Sequence, residues 1–417
     1  MPRKSASVTM FKAASYAGYK LCWPGDLVIN SLWAWGRGLG VSPYHGIISS
    51  AYGVYRIRKN APVIPEFIHE FVRSSSFNWE LQVRSKGIWI SRLQMTDEAF
   101  LDAPFLLPSR EEQDAIVRFL GYASRRIERA IRSKRKIITL LNEQKQTITH
   151  RAVTRGLDSR VPLKHSNIPW LGDIPKHWKV RRLKHCVTPM EQGWSPQCEA
   201  QPAGENEWGV LKVGCVNKDS FAAAQNKRLP ESLEPEPNLE IHDGDILVSR
   251  ANTRELLGLA ALAEKPRPKL ILCDKLFRFR ARQECFNPKF LVFALRAKPS
   301  RMQIESSTNG ASSSMQNIGQ GVIKNLWISM PTVVEQECIL AQLSTETQPL
   351  ATAISRFERE IELLREYRTR LVADVVTGQV DVRGVRIVDM AKMEAEEAHS
   401  IAEIEAAEAE PAEEAIA

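Results

Sequence analysis

At 417 residues the chain exceeds what one hydrophobic core ordinarily organises, which predicts about two to three domains. Lysine and arginine outnumber aspartate and glutamate by 57 to 49, and because Ala391–Ala417 holds nine glutamates against one lysine, the residues before it carry about +16. A body this basic favours a polyanionic partner, while seven cysteines, odd in number and without a C-x-x-C pair, exclude a disulfide framework or a zinc site.

Met1–Tyr19 lacks the apolar core of a signal peptide. The most apolar stretch, Leu256–Ala263, is far shorter than a membrane span, so the chain reads as cytoplasmic. GDLVINS, from Gly25 to Ser31, is an apolar strand after a Gly-Asp turn, followed by Trp33, Trp35 and Arg37. Ser85–Arg92 is a polar loop. At Ser109 a hydroxyl stands three residues before Glu112, the pattern of a capping box, and apolar residues then recur at 3 and 4 spacing: Ile116, Leu120, Ala123, Ile127, Ala130, Ile137, Leu141 and Ile148. This predicts a helix of about 40 residues, about 60 Å long. Its middle crowds Arg125, Arg126, Arg129, Arg132, Lys134, Arg135 and Lys136 into three turns.

The rest of the chain repeats what came before it. With a constant step of 223 residues, Pro108 aligns with Pro331, Glu112-Gln113 with Glu335-Gln336, Ile116 with Ile339, Leu120 with Leu343 and Val153-Thr154 with Val376-Thr377. Upstream, Pro65-Glu66-Phe67 meets Pro288-Lys289-Phe290, and GDILVSR (Gly244 to Arg250) matches GDLVINS after four residues of slippage. A second capping box, Thr332 to Glu335, opens a second helix with Ile339, Leu343, Leu350, Ala353, Phe357, Ile361, Leu364 and Leu371 on one face. Both seams are coiled-coil-like and imperfect, since Lys134 and Gln144 interrupt the first while Phe357 and Tyr367 stand in the second. The two helices are therefore expected to pair with each other, antiparallel.

Three motifs now stand together: L-P-x-x-E-E-Q (Leu107 to Gln113), V-T-x-G-L-D (Val153 to Asp158) and W-L-G-x-I-P-x-H-W-x-x-x-R-L-K (Trp170 to Lys184). With the two G-D-[LI]-[LV]-[VI] strands and SRANTRELLG (Ser249 to Gly258), they resemble the specificity subunit of type I restriction-modification enzymes over roughly residues 20 to 385. The resemblance implies an α+β fold: two mixed target recognition domains joined by two long antiparallel coiled-coil-like helices, an internal duplication in pseudo-twofold arrangement. On this plan residues 1–107 form the first recognition domain, 108–165 the first spacer helix and linker, 166–330 the second recognition domain and 331–385 the second spacer helix. Residues 386–417 form an acidic tail without order. The counterpart of Trp170 in the first copy would fall about 50 residues before Met1. The first recognition domain thus reads as lacking its beginning, whether the start lies upstream, the chain is a relic, or another chain supplies the piece.

The implied partners are double-stranded DNA with two separated half-sites, methyltransferase subunits and optionally an ATP-driven restriction subunit, with no membrane. S-adenosylmethionine, ATP and Mg would belong to those subunits; this chain has neither G-x-x-x-x-G-K-[ST] nor G-x-G-x-x-G. Asn287-Pro288-Lys289-Phe290 resembles the N-P-P-F of adenine methylases in three positions, yet its twin at Ile64 has no asparagine, and Asn-Pro also starts helices. A freestanding methyltransferase or nuclease, and a scaffold that has lost DNA binding, are the competing readings. Base reading falls to polar residues after the repeated strands: Ser249, Arg250, Asn252, Thr253 and Arg254 in one copy, Asn30, Ser31 and Arg37 in the other. Trp33 and Trp35 serve equally well as core. Thr308–Asn317 and Ser85–Arg92 are the second candidate loops. Arg125, Arg126, Arg129 and Arg132 would meet phosphates, or form a solvated or partner-facing helix surface.

Overall fold

The computed structural model describes residues 15–87, 93–217, 220–307 and 316–385. The acidic tail, and most of the loops Ser85–Arg92 and Thr308–Asn317, lie outside the described residues. The chain forms two compact units, one of residues up to Ile137 together with those from Arg356 onward, the other of Ile138–Ser355. These units cut across the segments read from the sequence, because each takes part of both long helices.

The first unit is built on strand Leu27–Asn30, flanked antiparallel by Leu39–Val41 and Tyr52–Tyr55. Leu27 and Ile29 face inward, as alternation requires, onto helix Pro65–Arg73, whose Phe67, Ile68, Phe71 and Val72 are buried. Pro65 sits in the first turn, where its fixed φ suits the helix and its missing N–H costs nothing. The second unit repeats the plan in the same order. Strand Ile246–Ser249 lies between Ala260–Leu262 and Leu276–Phe279, and helix Pro288–Arg296 packs on it with Phe290, Leu291 and Leu295 buried.

Polar contacts repeat as well. The turn before each central strand has a glycine at positive φ, Gly25 at 90° and Gly244 at 86°, a conformation that side chains resist. The aspartate after it accepts from a backbone N–H three residues back and from an arginine: Asp26 from Trp23 and Arg56, Asp245 from His242 and Arg280. The Arg56 guanidinium holds the Asp26 carboxyl below its usual range. In the last turn of each packed helix an arginine, Arg73 or Arg296, donates to the first carbonyl of the flanking strand, Leu39 or Ala260. The second unit adds a sheet of Asn226–Arg228, Gly209–Leu211 and Leu270–Ile271 with a core of its own around Val210, Cys215 and Leu272.

The long helices span Arg110–Arg155 and Val333–Val376, 46 and 44 residues. Within the first unit their cross-helix pairs run in opposite senses: Lys134 meets Glu360 at 2.6 Å, Glu128 meets Arg368 at 2.6 Å, and Glu112 meets Arg383, just past the second helix, at 3.3 Å. Ile116 shares a core with Leu371 and Val375 there, while in the second unit Ile148 and Val153 share one with Ile339 and Leu343. The helices are antiparallel. Lys134, a break in the first seam, lies with its ammonium 5.3 Å from the Phe357 ring of the other, so the two irregularities answer each other as a cation–π pair.

The seam differs in phase from the one expected. Ile131 rather than Ala130 is fully buried, and Ile137 is exposed. A straight helix drifts against a 3.5-residue repeat, so a pattern extended from Ile116 leaves the buried stripe within a few turns. The first capping box closes in both directions: Ser109 Oγ accepts from Glu112 N–H, and the Glu112 carboxylate accepts from Ser109 N–H. The second closes in only one. Thr332 accepts from Glu335 N–H, but the Glu335 carboxylate takes the Trp178 indole N–H at 2.9 Å and faces His177 Nε2 at 3.0 Å.

One residue after each of those glutamates a buried glutamine ties its helix to the body of the unit. Gln113 accepts from Ile64 N–H and donates to the carbonyls of Pro62 and Pro108; Gln336 accepts from Asn287 N–H and donates to those of Cys285 and Pro331. All three partners are displaced by the same 223 residues as the glutamines. Both side chains have 0% exposure. Replacing Gln336 by alanine strands the carbonyls of Cys285 and Pro331 in a buried setting, at about 1–3 kcal/mol for each one left unsatisfied, whereas the partners of Gln113 are only partly buried and Pro62 is exposed. Gln336→Ala should therefore destabilise its unit by about 3 kcal/mol or more and Gln113→Ala by less, about 1–2 kcal/mol, read as a lower denaturation midpoint at unchanged slope. The exposed control Gln342→Ala should stay within about 0.5 kcal/mol.

Candidate nucleic-acid interface

In the second unit the chain leaves the central strand at Ser249 and returns at Ala260, and the residues between were expected to form a polar loop. The first of them are structural. Ser249 is the last residue of the strand and fully buried, its Oγ donating to Leu256 O at 2.6 Å and accepting from Leu259 N–H at 3.1 Å. Arg250 donates to Asp274 O and lies over the Phe277 ring. Asn252 belongs to a two-residue strand, Ala251–Asn252, paired with Gln316–Asn317; it is buried, donating to Asn217 Oδ1 and accepting from Thr253 N–H. These three side chains are thus engaged within the fold rather than displayed on a loop: a serine or asparagine at a strand end satisfies backbone that the turn leaves open.

Thr253 and Arg254 do stand exposed at the tip, with Glu255 beside them. The tip is held from below, because Arg301 donates to the carbonyls of Arg254, Glu255 and Leu257. Burial of that guanidinium opposes its charge and lowers its pKa, while Glu305 offsets part of the effect. A fixed base under an exposed Thr-Arg-Glu tip suits a group that must present donors without reorganising. Next to it three amides gather: Asn217 bonds Asn252, whose cross-strand neighbour Gln316 has a buried Oε1 with no hydrogen-bond partner among the described residues. Primary sequence does not reveal this cluster, since its members come from three separate segments.

In the first unit the equivalent residues make a tight turn. Asn30 Oδ1 accepts from Leu32 N–H while its amide donates to Tyr52, Ser31 exchanges backbone bonds with Ala51 and Met95, and Arg37 occupies the left-handed region at φ 62°. Trp33 is 59% exposed, which removes it from the core; Trp35 is half-buried and meets it edge-on. Trp79, on helix Ser75–Arg84, is exposed too, and the sequence reading did not single it out.

On the first long helix Arg125, Arg126, Arg132, Arg135 and Lys136 are exposed and Arg129 half-buried. The cluster is not uniformly directed outward. Arg126 lies over the Tyr122 ring, and Lys134 is committed to Glu360 and Phe357. Asn287, the adenine-methylase-like position, caps helix Pro288–Arg296 by accepting from Lys289 N–H, and its own N–H goes to Gln336. Among the described residues no three His, Cys, Asp or Glu side chains gather as a metal site, and no helix is long and apolar enough to cross a membrane. Burial pushes the thiols of Cys186 and Cys273 up to about 12, far from a reactive thiolate.

No protein-family model matches the chain. It is 33% identical over 172 residues to the type I restriction enzyme EcoEI specificity subunit of Escherichia coli, covering 41% of this chain and 29% of that protein. Over 288 residues it is 20% identical to the type I restriction enzyme StySPI specificity subunit of Salmonella potsdam, covering 69% of this chain and 59% of that one. Along part of its length the chain is similar to type I specificity subunits. A solved chain from a structure of the type I R-M system, described for its complex assembly and conformational transition, has the same fold, with a TM-score of 0.60 at 17% identity over 87% of this chain and 84% of that one. The matched stretches span less than two thirds of the length of either curated relative.

The geometry separates support from display within one loop. Ser249→Ala should remove two hydrogen bonds from the turn and leave Leu256 O and Leu259 N–H only their longer 3.4 Å contact with each other, costing about 1–3 kcal/mol of stability, while Arg254→Ala at the exposed tip should stay within about 0.5 kcal/mol. Urea unfolding of the two variants distinguishes them; equal stability would contradict the assigned roles.

Proposed function

We propose that this chain is a DNA-specificity subunit: it binds double-stranded DNA at a site of two separated half-sites, one per unit, and positions methyltransferase subunits, and an ATP-dependent restriction subunit where one is present, around that DNA. Methyl transfer from S-adenosylmethionine and ATP- and Mg-dependent steps fall to those partners. The reading rests on one observation above the others, a frame built twice and joined by two long antiparallel helices, in a chain related to type I specificity subunits. Each copy of that frame carries a polar loop at the same strand end, the layout a bipartite site calls for. A freestanding methyltransferase is disfavoured because Asn287, the one residue that suggested it, is occupied as a helix cap.

In this reading base edges are met by Thr253 and Arg254, with the amides of Asn217, Asn252 and Gln316 behind them, and by the Asn30–Arg37 turn with Trp33 in the first unit. Arginine pairs well with guanine and primary amides with adenine. Arg125, Arg126, Arg129 and Arg132 meet phosphates, which position the protein without specifying sequence.

The two classes should fail differently. With the methyltransferase-assembled complex and DNA libraries, Arg254→Ala should change the preferred half-site, at about 1–3 kcal/mol per lost base contact. Arg132→Ala should weaken all sequences alike and flatten the dependence of log K on log salt by about 0.9 per lost phosphate contact. Unchanged half-site preference in Arg254→Ala would remove this tip as the reader.

A further inference from the structure

Three carbonyls of the second unit's tip are held by one side chain. Arg301, on helix Lys298–Ser306, donates through Nη2 to Glu255 O at 3.0 Å and Arg254 O at 3.4 Å, and through Nη1 to Leu257 O. Between them, Leu256 O accepts from Ser249 Oγ at 2.6 Å. The N–H groups of Leu256 and Leu257 both turn back to Thr253 O, so residues 253–257 make a single tight turn. That turn leaves the carbonyls of Arg254, Glu255 and Leu257 without a backbone donor among the described residues, and the guanidinium supplies what they lack.

The Arg301 side chain is 13% exposed, and Glu305, one turn further on, faces its guanidinium at 3.8 Å. Below the tip the chain runs so close to this helix that a Cβ on Gly258, at φ 72°, would lie 2.6 Å from Ile304 Cδ1. Because the bonds from Arg301 go to main-chain carbonyls, the grip does not depend on which side chains stand at 254 and 255. The 223-residue step puts Asn78 at this place in the first unit, on helix Ser75–Arg84. Two amide hydrogens cannot serve three carbonyls. The buried Asn78 Oδ1 has no hydrogen-bond partner among the described residues, and the Asn30–Arg37 turn is fixed from within, by Asn30 Oδ1 on Leu32 N–H and Ala34 O on Arg37 N–H.

Donors that are already in place discriminate better than donors that must be ordered on binding, since the ordering cost falls on the correct sequence. We propose that Arg301 is a positioning residue for half-site discrimination: without touching DNA it fixes, through the main chain, the direction in which Thr253 and Arg254 leave the tip. The inference rests on the reading of that tip as the element that meets base edges. It confines the effect of Arg301 to one of the two half-sites, because Asn78 gives the first unit no equivalent grip.

The test compares variants of the full chain, assembled with methyltransferase subunits, on DNA libraries at several salt concentrations and by amide hydrogen exchange. Arg301→Met keeps an aliphatic stem and removes every donor. It should lower discrimination by about tenfold or more at the half-site that Arg254→Ala alters, and leave the other half-site and the salt slope unchanged. Exchange at Leu256 and Leu257 should speed up. Arg301→Lys, which keeps the charge and separate donors without the planar fork, should lower the same discrimination by about threefold, and it carries the test if the methionine variant does not fold. If Arg254→Ala moves the preference and neither Arg301 variant does, this inference falls while the reading of the tip stands; if none of the three moves it, both fall. Equal loss at both half-sites, or a flatter salt slope, would make Arg301 a general support or a phosphate contact and would overturn the inference too.

Discussion

Each unit depends on a glutamine with no access to water. Gln113 and Gln336 sit in the first turn of a long helix, where four backbone N–H groups have no partner inside the helix and the entering chain must be fixed by something else. The side chain accepts from the residue that precedes the packed helix, Ile64 or Asn287, and donates to a carbonyl two residues before that. It thereby fastens the long helix to the start of the helix covering the sheet. An alternative rotation of the long helix would bury an amide without partners, costing more than any single apolar contact gains. Helix phase is set there, and the cross-helix pairs from Glu112–Arg383 to Lys134–Glu360 follow from it.

Much of this frame was legible because it is encoded locally and written twice. Pro-Ser-x-x-Glu and Pro-Thr-x-x-Glu marked both helix starts, Gly-Asp marked both central strands, and the constant step joined them. Tertiary effects hid the rest. Nothing near Thr332 says that Glu335 will leave its capping role, since the competing donors, His177 and Trp178, lie more than 150 positions away. Ser249 and Asn252 looked like loop groups because polar residues after a strand are read as displayed; here they satisfy the turn. Ile137 and Ile131 exchanged places because a repeat taken from sequence slides around a straight helix.

The likeness between the copies is confined to load-carrying contacts: glycine turn, aspartate–arginine pair, helix arginine on a strand carbonyl, buried glutamine. Outside them the copies diverge, with Thr253-Arg254-Glu255 over Arg301 in one and a tight Asn30–Arg37 turn with an exposed Trp33 in the other. The proposed reading of two half-sites would need this division, because the frame must hold its geometry while the displayed groups differ.

Glu112 and Glu335 show how such a frame keeps options open. Both glutamates occupy the third position of a capping box, and the helix start survives either way, because the hydroxyl bond from Ser109 or Thr332 is made in both units. What the carboxylate does beyond that is decided by its neighbours. Closing back on the cap amide adds one bond near the positive end of the helix dipole. Facing an indole N–H and an imidazole keeps the dipole contribution and exchanges the amide for donors on another segment. The two arrangements differ in whether a tryptophan packs beside the helix start, while the glutamine one residue further on keeps the same three partners in both units.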